Sequence, residues 1–427
     1  MKVIYLIFLS LILSNLLLAF DLKQAIDFAL KNSPQLKAAH NHIEAQSLTQ
    51  KNAFYSLLPD LRLSASQSLN KTLFPSETKL SLPSAVGLSL EQVIFSKSAN
   101  MARYEKEKLN YKVSLTKWEE IRENIILDVA KNYYEFVLIH KQLELKKAKY
   151  GAVKTELARL KSMHMQGLKR RIDLIRLQAQ LERENIQIIQ STKTLAQQEN
   201  NLKLALGLSL SEPLFDQIKF VIEDPKELFK ILPLEKPKLA LNKSNQRFIN
   251  EREANQADYK FKKKSLYPEL NFNVSLNYQR AGELPKVLGS ERNIFGSVGL
   301  FLSFDQFLWG QSSRDVAINA HNLEAKNYLL SVEELKLEKE ASDLRATLNE
   351  LEQSFALNKK LLDLENENYK YLSAEYHRGK IQYLDLITSM SAVFAAKDGY
   401  YSSYYNLIIA VISFYHLQGD LYEKIAL

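Results

Sequence analysis

The chain has 427 residues and a mass of 49.2 kDa, and its 57 Lys+Arg against 49 Asp+Glu give a formal net charge of +8. It contains no cysteine, which excludes disulfides, thiolate zinc sites, iron–sulfur clusters, a Cys nucleophile and a lipoprotein anchor. The mean hydropathy of -0.24 excludes a polytopic helical membrane protein, and the basic excess is spread along the chain, so no nucleic-acid partner is expected.

Met1 and Lys2 precede an apolar stretch from Val3 to Phe20, interrupted by Ser10, Ser14 and Asn15 and carrying a small residue at Ala19. A positive start, a short apolar core and a small residue describe a secretory signal peptide over 1–19. Asp21 and Lys23 follow without a stop-transfer cluster, so cleavage near Ala19 and export are expected. Residues 20–60 then read as an N-terminal periplasmic helix.

The period next switches to two. Leu61, Leu63, Ala65 and Leu69 alternate with Arg62, Ser64, Ser66, Ser68 and Asn70, and Val86, Leu88 and Leu90 alternate with Gly87, Ser89 and Glu91. The pattern returns over 270–278, where Leu270, Phe272, Val274, Leu276 and Tyr278 alternate with asparagines and Ser275, and again over 294–305. Runs of about 10 residues with one apolar and one polar or small face have the length and period of transmembrane β-strands. An ordinary half-buried sheet gives the same alternation, and four strands of spanning length in an exported chain favour the membrane. Two hairpins result, over 61–95 and 270–309, with long connections at about 71–82 and 281–292. Four strands cannot close a barrel, and lipid tolerates no open edge. The chain must therefore share a barrel with copies of itself, and three copies would give twelve strands.

The rest reads as helix. From about Ser96 to Met165 there is no proline and one glycine, enough for roughly 105 Å of helix. The stretch from about Ser313 to Tyr376 is similar. There Leu337, Ala341, Leu344, Leu348, Leu351 and Phe355 are spaced 4, 3, 4, 3 and 4, and Leu362, Tyr369 and Tyr376 continue at sevens. That is a heptad seam. With return segments 168–206 and 381–417, two helical hairpins are expected over 96–206 and 310–417. Residues 238–269 form a further periplasmic helix. Residues 207–237, with Pro213, Pro225, Pro233 and Pro237, are expected to form a linker at the join of the halves, and 418–427 a C-terminal tail.

The halves repeat. Gly167 precedes Asp173-Leu174 by six residues, as Gly379 precedes Asp385-Leu386, and the same offset relates Gly207 to Gly419. Leu58-Pro59-Asp60-Leu61 matches Tyr267-Pro268-Glu269-Leu270, and Gln92-Val93-Ile94-Phe95 matches Gln306-Phe307-Leu308-Trp309. One repeat pair indicates a duplicated half, not a solenoid.

These features, with Leu22, Ala25, Ala29-Leu30 and Asn32-Ser33-Pro34-Gln35-Leu36 near the start, resemble the TolC family of outer-membrane efflux channels over nearly the whole mature chain. The resemblance implies an α+β membrane protein: a homotrimer with a twelve-strand outer-membrane β-barrel, four strands per chain, continued by a long coiled-coil α-helical barrel in the periplasm. It implies a periplasmic adaptor (a membrane fusion protein) and an inner-membrane pump of RND or ABC type as partners, with drug efflux or type I secretion as the task. It places the adaptor-contacting tips at the turns Gln166-Gly167-Leu168 and Arg378-Gly379-Lys380. It matches Asp385 to an aspartate of the closed pore entrance, three copies of which would favour cations. A second acidic ring falls on Thr388 here, Tyr376 matches a tyrosine that ties neighbouring helices shut, and Ile381 stands where some members carry an arginine. Asp173 is the first-half equivalent of Asp385, and a carboxylate there also serves a helix N-terminus.

Catalytic motifs are missing: the sequence has no HExxH, GxSxG or GxGxxG. His40 and His42 are two apart near Glu44, a spacing that places them on different helix faces, so no metal is expected. His164 and His377 flank the tip glycines as solvated turn residues. Glu333-Glu334 read as surface charge, and Tyr400, Tyr401, Tyr404 and Tyr405 as inter-helix packing. No catalytic residue and no cofactor is assigned. The competing readings are a periplasmic coiled-coil adaptor, which has one helical hairpin where two are found here, and a periplasmic binding protein or enzyme, which needs a converging polar site.

Overall fold

The structure is a computed structural model that describes residues 21–71, 80–81, 84–95, 97–211, 239–280, 292–303, 309–378, 380–419 and 421–426. The signal peptide, most of both hairpin connections, residues 212–238, Gln306-Phe307-Leu308 and Gly379 lie outside the described residues. The elements are α1 (Leu22–Asn32), α2 (Pro34–Tyr55), β1 (Asp60–Gln67), β2 (Asn70–Lys71), β3 (Leu80–Ser81), β4 (Ser84–Phe95), α3 (Lys97–Met165), α4 (Arg171–Leu206), a 3-10 turn (Leu239–Leu241), α5 (Lys243–Lys264), β5 (Glu269–Arg280), β6 (Arg292–Ser303), α6 (Gln311–His377), α7 (Tyr383–Gln418) and α8 (Leu421–Ala426). None of the described helices is long and apolar enough to cross a membrane.

The N-terminal helix expected over 20–60 is two helices. Pro34 opens α2, where its missing N–H costs nothing, and a residue before proline is driven out of the helical region. Ser33 is that residue, at ψ 118°. Its Oγ accepts the Leu36 N–H at 3.3 Å, so it also serves the start of α2.

The chain divides into two compact units: Met1–Ala38, Glu119–Asn245 and Leu335–Leu427 form one, and Ala39–Trp118 with Gln246–Glu334 the other. The second unit holds an antiparallel sheet of order β1-β4-β5-β6. Its register stacks like with like. Leu61–Leu90–Val274–Val298, Leu63–Leu88–Leu276–Gly296 and Ala65–Val86–Tyr278–Ile294 form rows on one face. Arg62–Ser89–Ser275–Ser297 and Ser64–Gly87–Asn277–Phe295 form rows on the other. Period-two alternation on every strand requires this, since a one-residue slip would invert a whole strand. The polar face is tied across strands by Ser275 Oγ and Ser297 Oγ, 2.7 Å apart, while along β5 Asn277 donates to Ser275 Oγ at 2.9 Å. Gly87 leaves room for Asn277, whose Oδ1 would sit 2.5 Å from any Cβ there. That face also carries Phe295 and Phe301, and the Phe301 ring lies over Gly299.

The helices of this second unit pack through small residues and polar pairs. Ala53, Ala99, Ala102, Ala254 and Ala257 are buried. Asn250 donates to Thr116 Oγ1 at 2.8 Å, both residues buried, and Lys106 pairs with Asp258 at 2.7 Å.

In the first unit α1, α3, α4, α6, α7 and α8 share an apolar core that includes Ile26, Ile126, Tyr133, Leu206, Phe355, Tyr404 and Leu421. The aromatic run on α7 packs between helices as expected: the rings of Tyr400 and Tyr404 lie 5.4 and 5.8 Å from Phe355. The heptad seam on α6 is likewise the buried face, with Leu337, Leu348, Phe355 and Tyr376 all under 10% exposed. The seam of α4 differs. Its buried residues Leu177, Glu184, Ser191 and Gln198 fall at intervals of seven, and three of the four are polar. Each polar member meets α3: Lys149 pairs with Glu184, Lys146 donates to Ser191 Oγ at 2.6 Å, and Gln198 donates to Asn132 Oδ1 and Glu135 Oε2.

Gly207 and Gly419 close α4 and α7 in the left-handed region, at φ 73° and 82°. The repeat is thus visible as two identical helix stops.

Candidate functional site at the hairpin tips

Both helical hairpins of the first unit turn where the sequence repeat places a glycine. In the first turn, Gly167 (φ 73°) follows α3, its N–H donating to the His164 carbonyl at 3.0 Å. The Leu168 N–H reaches back to the Met163 carbonyl at 2.9 Å, the six-to-one bond of a glycine-terminated helix. His164 Nδ1 lies 2.7 Å from the Lys169 carbonyl, bracing the loop from inside. Met165 and Leu168 project outward, 75% and 63% exposed. A Cβ on Gly167 would meet nothing within 4 Å.

In the second turn, Glu375 is the organiser. It is buried, its carboxylate is met by Arg378 at 2.9 Å and Lys380 at 3.5 Å, and its carbonyl accepts the Lys380 N–H at 3.0 Å. The side chain of His377 and all of Gly379 lie outside the described residues.

Asp173 and Asp385 occupy equivalent places, each three residues into the first turn of its helix after an N-cap residue, Arg170 and Gln382. The Gln382 N–H donates to Asp385 Oδ2 at 3.2 Å, and Asp173 pairs with Arg170 at 3.5 Å. Asp385 and Thr388 are exposed, three residues apart, and so on one face of α7. Tyr376 is elsewhere. It is buried in a cluster with Val153, Leu160, Leu177, Tyr383, Leu386 and Met390, and Ile381 packs against that cluster.

Around Tyr376 the structure gathers residues that the sequence did not single out. Arg159 and Lys169 stand over its ring at 5.6 and 5.0 Å from the centroid, and the Tyr383 ring lies 5.8 Å away. Burial pushes both phenols above their usual range, Tyr383 the further, with Glu156 adding to its rise. The Tyr383 hydroxyl is buried without a hydrogen-bond partner. Tyr376 and Tyr383 are seven residues apart across a turn, a spacing that ordinary helix reading does not connect. Beside them a cavity of about 180 Å³ opens between α4 and α7, lined by Asp173, Arg176, Leu177, Arg183, Tyr383 and Ile387.

Among the described residues no group of His, Asp or Glu is placed to hold a metal. His40 and Glu44 form an exposed pair at 3.5 Å.

A sheet with one continuous apolar face, joined to two long helical hairpins in a duplicated chain, defines the protomer of an outer-membrane channel. The outer membrane efflux protein family model matches residues 25–208 and 239–420, and the chain belongs to that family. The resemblance carried by residues 22–36, 58–61 and the glycine-to-aspartate repeats therefore holds, and the chain is an outer-membrane exit duct with a periplasmic helical domain. Comparison with curated protein sequences gives no significant match. Similar solved structures include the CmeC outer membrane channel of Campylobacter jejuni, at 19% identity and a TM-score of 0.79 over 95% of this chain and 88% of that one. VceC of Vibrio cholerae gives 15% identity and 0.77 over 92% and 96%, and the outer-membrane channel OprN 15% and 0.80 over 93% and 89%. At these identities the likeness is one of fold. The adaptor reading finds no support.

Proposed function

We propose that three copies of the chain close a twelve-strand barrel and a helical tunnel, forming a passive duct that a periplasmic adaptor opens and an inner-membrane pump of RND or ABC type drives. The chain itself does no chemistry. The observation that carries this reading is the sheet. Its apolar rows cross all four strands with a gap only at Gly296, while β1 and β6 are its outermost strands, each with one edge unpaired among the described residues. Lipid forbids such edges, and pairing β6 of one copy with β1 of the next removes them all.

The helices support the same assembly. Ile172, Ile175, Ile186 and Ile189 form an exposed stripe on α4, preceded by Leu168 of the turn, and Leu357, Leu361, Leu364 and Tyr371 form another on α6. Counted from the tip glycines, Ile189 and Leu357 each stand 22 residues away (189 − 167 and 379 − 357). The two stripes thus cover the same stretch of hairpin, and α4 of one copy can seat against α6 of the next.

Within this assembly Asp385 and Thr388 line the periplasmic constriction, Tyr376 anchors α6 behind them, and Asp173 sets the start of α4. Gly167, Leu168, Gly379 and Lys380 form the adaptor-contact tips. We take hairpins 61–95 and 270–309 to lie in the membrane and the helical hairpins to lie in the periplasm. The test is the native mass of the species extracted by detergent from fractionated cells. A trimer from the outer membrane is expected; a monomer in the soluble periplasmic fraction would sink the shared barrel.

A further inference from the structure

The tips are charged in a way that helix stability does not explain. Over 161–176 and 375–385 there are seven cations (Lys161, Lys169, Arg170, Arg171, Arg176, Arg378, Lys380) and three acids (Asp173, Glu375, Asp385), a net of +4 (7 − 3). The acids are engaged: Glu375 is buried between Arg378 and Lys380, Asp173 pairs with Arg170, and Asp385 accepts the Gln382 N–H. Most of the cations face solvent, with the side chains of Arg170, Arg378 and Lys380 at 76%, 66% and 64% exposure and Arg171 and Arg176 also exposed.

Two of them stand at the wrong end of a helix. Arg170 is the N-cap of α4, with no side-chain cap bond, and Arg171 is its first residue. A helix N-terminus carries partial positive charge and favours Ser, Thr, Asp or Asn at the cap. Cations there oppose the dipole and displace a cap. Beside them Met165 and Leu168 are exposed apolar side chains. Exposed apolar residues inside a ring of like charge mark a contact surface, not a solvated end.

We infer that this basic crown is built to receive an acidic protein end, a helical-hairpin tip whose Asp and Glu residues surround a small apolar recess for Leu168. The inference rests on the reading of these turns as the adaptor contact and adds the chemistry of the partner. Like charge repels a basic end and gives a neutral one no attraction, so the crown also selects among adaptors.

The experiment places the photo-crosslinker p-benzoylphenylalanine at Leu168 of the full-length protein in living cells and sequences the captured peptide. An excess of Asp and Glu flanking the captured residue is expected. Arg170→Glu with Arg171→Glu should cut the cross-link yield about tenfold, while Arg170→Lys with Arg171→Lys keeps it. Acids at a helix N-terminus strengthen the helix and offset the loss of the exposed Arg170–Asp173 pair, so the reversal should leave the thermal stability of the assembly about unchanged. A captured end that is neutral or basic would overturn the inference and leave the adaptor contact standing. So would a reversal that lowers stability, which would make the arginines structural. Capture of no protein at Leu168, with a copy-to-copy cross-link still formed at Ile189, would remove the tip contact itself.

Discussion

Lys149 Nζ lies 2.8 Å from Glu184 Oε1, joining α3 to α4 through a carboxylate with no solvent exposure. Gln180 donates to the same oxygen, and the second oxygen, Oε2, has no partner. An ion pair this deep costs desolvation that its attraction scarcely repays, yet removing one member strands the other. Glu184→Ala should therefore destabilise the first hairpin by about 3 kcal/mol. The double change Lys149→Met with Glu184→Leu should be neutral or stabilising. Thermal unfolding of the detergent-solubilised protein separates the two; equal losses from both variants would contradict the argument.

The two helix stops allow a cleaner comparison. A Cβ at Gly419 would fall 2.2 Å from the Leu241 carbonyl oxygen, whereas at Gly207 the nearest atom is 3.5 Å away. Gly207→Ala should cost about 1 kcal/mol, the ordinary penalty for a left-handed alanine. Gly419→Ala has to push the 3-10 turn aside as well and should lower the assembled yield sharply. Quantifying trimer in membranes for both decides it; similar yields would mean that the turn moves freely.

His416 bridges α7 to α3, its Nε2 2.9 Å from Asn124 Oδ1. Burial first, and then Lys131, push its pKa down to about 4, against a smaller upward pull from Glu120. The unfolded chain takes up this proton near pH 6.5, while the folded chain resists it until about pH 4. The stabilising difference is thus full above 6.5 and is lost as pH falls through that window. Between pH 7.5 and 5.5 the loss should be on the order of 1 kcal/mol, since the ring is partly exposed. His416→Gln should flatten that slope in a thermal-unfolding series. An unchanged slope would assign the effect to other groups.

Asp385→Ala should weaken cation preference, read as the reversal potential across a planar bilayer under a KCl gradient. It also removes the acceptor for the Gln382 N–H, which should cost about 1 kcal/mol at the start of α7. An unchanged reversal potential would clear Asp385 of any pore role and leave it a helix cap.

The absence of cysteine makes the subunit contact directly testable. Ile189→Cys with Leu357→Cys should form covalent trimers under mild oxidation, visible on a denaturing gel. Single variants should stay monomeric there. Monomers from the double variant would exclude the α4-to-α6 seating.

Much of this architecture was legible in the chain because it is periodic. The α6 seam from Leu337 to Tyr376 has heptad spacing and apolar residues, and it is the buried face. The four strands alternate at period two, and the register stacks their apolar residues. The break at Ser33 was passed over because helical spacing continues on both sides of Pro34. The α4 seam was invisible for a different reason: Glu184, Ser191 and Gln198 keep the heptad period, but polar residues at that spacing look like surface until α3 supplies their partners. The tip was legible only as backbone. Gly167 and the two aspartates stand out in the repeat, whereas the packing of Arg159, Lys169 and Tyr383 around Tyr376 depends on which helices meet, and no local pattern encodes that.

The apolar rows have a measurable height. From Leu270 to Tyr278 on β5 is eight residue steps, about 26 Å along the strand. With the usual barrel tilt of about 40° this shrinks to roughly 20 Å along the membrane normal. A belt that short matches the thin hydrocarbon of a bacterial outer membrane and falls well short of thicker bilayers, where every ångström of mismatch adds a small penalty. The sheet therefore acts as a gauge of bilayer thickness: the same residues that make it insoluble in water disfavour any membrane met on the way out.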